Sequence, residues 1–93
     1  MAVAGDFAQL ADVTASLADA HRDAGLLRKS IADQKRRMWD QTAHTGMSVT
    51  ERRESVQYAA TDYYLELVIA EADIAALTVE AAYETLKITH GAA

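Results

Sequence analysis

The chain has no cysteine and no proline, and only four glycines in 93 residues. Without cysteine there is no disulfide, no thiolate nucleophile and no zinc site with sulfur ligands. Without proline no position forces a helix to stop or kink. Aromatic residues make up only 6%, and Phe7 and Trp39 are the single representatives of their types. Long hydrophobic runs are missing too. Ile74 to Val79, an uncharged apolar stretch of the second half, is well short of the ~20 apolar residues a membrane span needs. Residues Met1 to Asp6 have neither the basic region nor the apolar run of a secretory leader. A soluble, cytoplasmic, single-domain protein is the expectation. No glycine-rich phosphate loop, nucleophile elbow or Ser/His/Asp order occurs, so no enzymatic activity and no cofactor are expected.

What remains is a chain with 51% hydrophobic residues, dominated by Ala, Leu and charged residues that favour helix. Charge is unevenly placed. Residues 22–53 carry eight of the nine basic residues against four acids, net +4, whereas residues 54–93 carry seven acids against Lys87, net −6. The whole is −5.

One break is visible, at His44-Thr45-Gly46-Met47-Ser48. Glycine tolerates the left-handed backbone that ends helices. Ser48 and Glu51 have the spacing of a capping box, in which each side chain bonds the other residue's backbone N–H. The reading is a helix over about 6–43, a turn at 44–48 and a second helix over about 49–90, with Asp6 and Gln9 capping the first and Gly91 closing the second. The fold class expected is all-α: an antiparallel two-helix hairpin that assembles into a four-helix bundle or larger helical oligomer. Gly25 is the weak point of the first helix, because an internal glycine costs about 1 kcal/mol relative to alanine. A break there would give the alternative, a monomeric three-helix bundle.

The second helix carries two apolar stripes. At about 100° per residue, Val56, Ala60, Tyr63, Leu67, Ala70, Ile74, Leu77, Ala81 and Ile88 share one face. Tyr64, Leu65, Val68, Ala72, Ala75, Ala76, Val79, Tyr83 and Leu86 mark a second, roughly 160° away. The first helix has one apolar face (Phe7, Leu10, Val13, Leu17, Ala20, Ala24, Leu27, Ile31, Met38) and can cover only one of these stripes. The uncovered stripe is therefore the candidate protein interface, to a second copy in a homo-oligomer or to a helical partner. Asp62, Glu66, Asp73, Glu80 and Glu84 read as a solvated acidic stripe that keeps this helix soluble. Glu71 sits beside the first apolar stripe and is expected to be partly buried against His21 or Arg22.

Two lesser candidates concern ligands. In a hairpin, Lys35, Arg36, Arg37, Arg52 and Arg53 gather near the turn with Trp39 and Tyr58, a combination that suits phosphates or stacked bases. Nucleic acid or a nucleotide-like anion is thus a possible ligand, although Asp33 and Arg37 also have the spacing of an ordinary surface ion pair. Asp40 and His44 have the spacing of two metal ligands, but two ligands make no site and no metal is expected.

A two-helix chain of this length with a tryptophan shortly before its turn resembles the WXG100 family of secreted proteins. Gln41 stands where that family has glycine after the tryptophan, and Lys87 stands four residues after Tyr83 where the family's secretion signal has an acid. The resemblance implies a secreted helical hairpin that pairs with a different small helical protein.

Overall fold

The computed structural model describes residues 4–92, and these are helical except for one turn and one interruption. Three helices follow in order: α1 (Ala4–Gln41), α2 (Val49–Ala59) and α3 (Thr61–Ala92). The protein is all-α. No helix among the described residues is long and apolar enough to cross a membrane.

Helix α1 runs through Gly25 without a break, which removes the three-helix arrangement divided at that position. With neither proline nor a competing polar loop nearby, intact i→i−4 bonds on both sides outweigh the single glycine penalty. Gly25 is exposed, and a Cβ built there would meet nothing within 4 Å. Gly25→Ala is therefore expected to stabilise the chain by about 0.5–1 kcal/mol, read as a rise in thermal midpoint of about 2–8 °C. A lower midpoint would mean the site needs glycine's freedom. Asp6 lies within the first turn of α1 instead of capping it, where its charge still suits the helix dipole.

The turn matches its local signals. Gly46 takes φ +77°, and Ser48 caps α2 by accepting the Glu51 N–H at 3.1 Å. The return arm of the box differs from expectation: the Ser48 hydroxyl donates to Glu51 Oε1 at 3.2 Å.

The expected single helix over 49–90 is two helices. The interruption is at Ala60, which is fully buried with φ −95° and ψ 0°. The Thr61 hydroxyl donates to the Gln57 carbonyl at 3.3 Å. The ladder resumes with Tyr64 N–H to Ala60 O at 3.0 Å. At the other end, α3 continues through Gly91, so that glycine is not a cap.

The chain divides into two compact units. One takes residues 4–23 of α1 with residues 70–92 of α3. Its interior is Val13, with Leu10, Leu17, Ile74, Leu77, Ala81 and Ile88 half-buried around it. The other takes residues 24–69, and its interior is Ala24, Ile31 and Ala60, flanked by Leu27, Met38, Val56 and Leu67. In both, the large aliphatic side chains of the second half that turn inward, Val56, Leu67, Ile74, Leu77 and Ile88, come from the first apolar stripe. The innermost residues are small or β-branched, which suits close helix packing.

Candidate functional site

The basic turn belongs to the unit of residues 24–69. The last turn of α1 contains no basic residue, so its free carbonyls lack a cation of their own. Arg52, from α2, supplies one. Its Nη2 donates to Trp39 O at 2.8 Å and its Nε to Thr42 Oγ1 at 3.2 Å. The guanidinium carbon lies 3.6 Å from the centroid of the Trp39 ring, a stacked cation–π contact. Thr42 is buried, and its hydroxyl donates back to the end of α1, to Met38 O at 2.9 Å and Trp39 O at 3.1 Å. Thr45 closes the turn on Thr42 O through its hydroxyl, at 2.8 Å.

The six candidate anion-binding residues are thus in different situations. Arg52 and Trp39 are bound to each other. Lys35 Nζ sits 4.8 Å from the centroid of the Tyr64 ring. Arg36 pairs with Asp33 at 3.2 Å, where the sequence suggested Arg37 for that partner. Arg37 and Arg53 are exposed. Tyr58 is exposed on a separate groove of about 600 Å³ that it lines with Met38, Gln34, Glu54, Ser55 and Ala59. Among the described residues no three His, Cys, Asp or Glu side chains gather to hold a metal ion.

The second apolar stripe of α3 lies open. In the unit of residues 24–69, Leu65, Val68 and Ile69 are 60%, 64% and 63% exposed. Ile69 was absent from the stripe read in the sequence, although it lies about 40° from Leu65 at helical spacing. In the other unit, Val79, Tyr83 and Leu86 are 70%, 60% and 55% exposed, and Ala72, Ala75 and Ala76 beside them are also exposed. Tyr64 is the exception. It is half-buried, because Lys35 lies over its ring.

The acids of α3 are not all alike. Glu71 is exposed, where partial burial was expected. Glu84 is the buried one, at 5% exposure. It shares its face with Ala70 and Leu77, at intervals of seven residues, and so points inward with them. Lys87 Nζ donates to Glu84 Oε1 at 3.4 Å and lies 3.1 Å from Oε2. The second contact is ionic without hydrogen-bond geometry, so the buried Oε2 accepts no hydrogen bond. The Glu84 hydrogen bond is the chief cause that raises Lys87 above its ordinary pKa of 10.5; desolvation opposes it, and the charges of Glu84, Tyr83 and Asp6 add to it. A raised lysine contributes stability that is whole below 10.5 and disappears as pH climbs through the raised value. Lys87→Met is accordingly expected to lower the urea midpoint at neutral pH, and the gap to wild type should narrow in alkaline solution as Lys87 loses its proton. A gap that stays unchanged as Lys87 loses its proton would contradict this pairing.

Comparison with protein-family models, with curated proteins and with solved structures gave no match.

Proposed function

We propose that this protein is a non-enzymatic helical interaction module that engages a second helical surface through the outer face of α3. The observation that carries the reading is the set of large apolar side chains there, Leu65, Val68, Ile69, Val79, Tyr83 and Leu86, each more than half exposed. Apolar area left in water costs about 25 cal/mol per Å², and contiguous exposed patches on soluble proteins mark contact surfaces. The surface is at helical spacing along one helix, which suits a helix as its counterpart. In this reading α1 pairs with α3 as an antiparallel hairpin, and a second copy, or a helix of another protein, completes a bundle over the open stripe. Tyr83 suits such a contact, because it buries area and keeps a polar atom.

The test is the solution mass of the purified chain with and without the stripe. Light scattering should give a dimer or larger species for wild type, or a monomer that accepts a helical partner. Leu65→Asp with Leu86→Asp should give monomers of unchanged helicity that accept no partner. A wild-type monomer that persists at high micromolar concentration excludes self-association. One that also binds no amphipathic helix removes the reading altogether.

A further inference from the structure

In the unit of residues 4–23 and 70–92, a groove of about 450 Å³ opens beside the exposed stripe. Its floor is Ala20, Ala76 and Leu77, and its rim carries Asp19, Asp23 and Asp73. Ala76 belongs to both features: at helical spacing it lies within about 60° of Ala72, Val79 and Tyr83. Small floor residues leave room for an incoming side chain, and the rim offers carboxylates. Asp19 is held by Arg22 at 2.9 Å in an exposed ion pair. Asp23 and Asp73 are exposed. Asp73 and Glu80, seven residues apart, line one edge of the apolar stripe. Lys87 is the single lysine or arginine in residues 54–93, and Glu84 already holds it.

A second α3 is poorly suited to this edge, because it brings carboxylates to carboxylates with no lysine or arginine to spare. A helix with an apolar stripe and Lys or Arg along one border fits both features at once. Its apolar residues cover Val79, Tyr83 and Leu86. One long basic side chain lays its methylenes on Ala20, Ala76 and Leu77 and brings its charge to Asp23 and Asp73, as amphipathic cations do over apolar surface. Resting on the reading of α3 as a contact surface, we propose that this part of the face docks a basic amphipathic helix of another protein, whose Lys or Arg enters the aspartate-rimmed groove.

Two synthetic helical peptides with the same leucine stripe, one bordered by lysine and one by glutamate, test this with the full chain by calorimetry at low and high salt. The lysine peptide is expected to bind about tenfold or more tighter at low salt, with the margin shrinking as salt screens the charges. Asp23→Asn with Asp73→Asn should remove most of that margin and leave the glutamate peptide's affinity unchanged. Asp12→Asn with Asp40→Asn, which changes net charge equally, should leave the margin intact, and circular dichroism checks that each variant stays helical. Equal binding of both peptides, or a margin untouched by the groove variant, overturns the proposal while the α3 surface stands. A wild-type dimer that excludes both peptides and dissociates on Val79→Asp assigns the face to a second copy and also overturns it. No binding by either peptide to a monomer removes the underlying reading of α3 instead.

Discussion

Arg52→Ala is expected to lower the stability of the chain by about 2–3 kcal/mol, more than any other change to the basic residues. The side chain makes two charge-assisted hydrogen bonds, to Trp39 O and Thr42 Oγ1, and stacks on the Trp39 ring. Hydrogen bonds to charged groups contribute about 1.5–3 kcal/mol, and a partly exposed cation–π contact adds about 0.5–1 kcal/mol. The loss is felt because Thr42 is only 5% exposed, so water cannot easily replace the lost donor. Arg52→Lys keeps the charge but not the fork and should recover about half. Urea unfolding followed by circular dichroism, with Trp39 fluorescence as a local probe, measures both. A loss under about 0.5 kcal/mol would place Arg52 among ordinary surface bases, and an anion site at the turn would then gain its strongest residue back. The assignment also makes Arg52 a poor choice for testing anion binding, since its removal disturbs the turn itself. Arg37 and Arg53, both exposed, are the cleaner positions.

The second large effect separates the two apolar faces. Ile31→Ala should cost about 2–4 kcal/mol, because Ile31 is 7% exposed and its removal leaves a cavity between helices. Val79→Ala in the isolated chain should cost less than about 0.5 kcal/mol, because Val79 is 70% exposed and little area is lost. The contrast depends on concentration if the outer face of α3 is used for assembly. At low concentration Val79→Ala should be nearly silent, and its cost should appear as the chain is concentrated or a partner is added. A cost near that of Ile31→Ala at the lowest concentration would show that the face is covered within a single molecule. The apolar surplus would then not be a contact surface.

The limits of reading this fold from its residues show at three places. The turn at Gly46 and Ser48 was legible because glycine's tolerance of positive φ and serine's capping oxygen act within four residues. The interruption at Ala60 was not, since Ala59, Ala60 and Thr61 all sit comfortably in helices. α2 parts from α3 at an alanine that is fully buried and whose backbone, at φ −95° and ψ 0°, leaves helical geometry. Glu84 carried a signal that the charge pattern concealed. It follows Ala70 and Leu77 at intervals of seven, with Lys87 one turn later, and that spacing puts it inward whatever its charge.

The amino-acid order alone determined the all-α class, the turn, and the existence of two apolar stripes in the second half. All three follow from local backbone preference and a 3.6-residue period, which need no knowledge of distant partners. Tertiary structure alone decided which stripe is covered, where the second half of the chain is interrupted and what Arg52 does. Those outcomes depend on which atoms from 10 or 13 residues away arrive at the same place, as Thr42 and Trp39 do at Arg52. They are settled by packing and desolvation across helices, energies that no single segment contains.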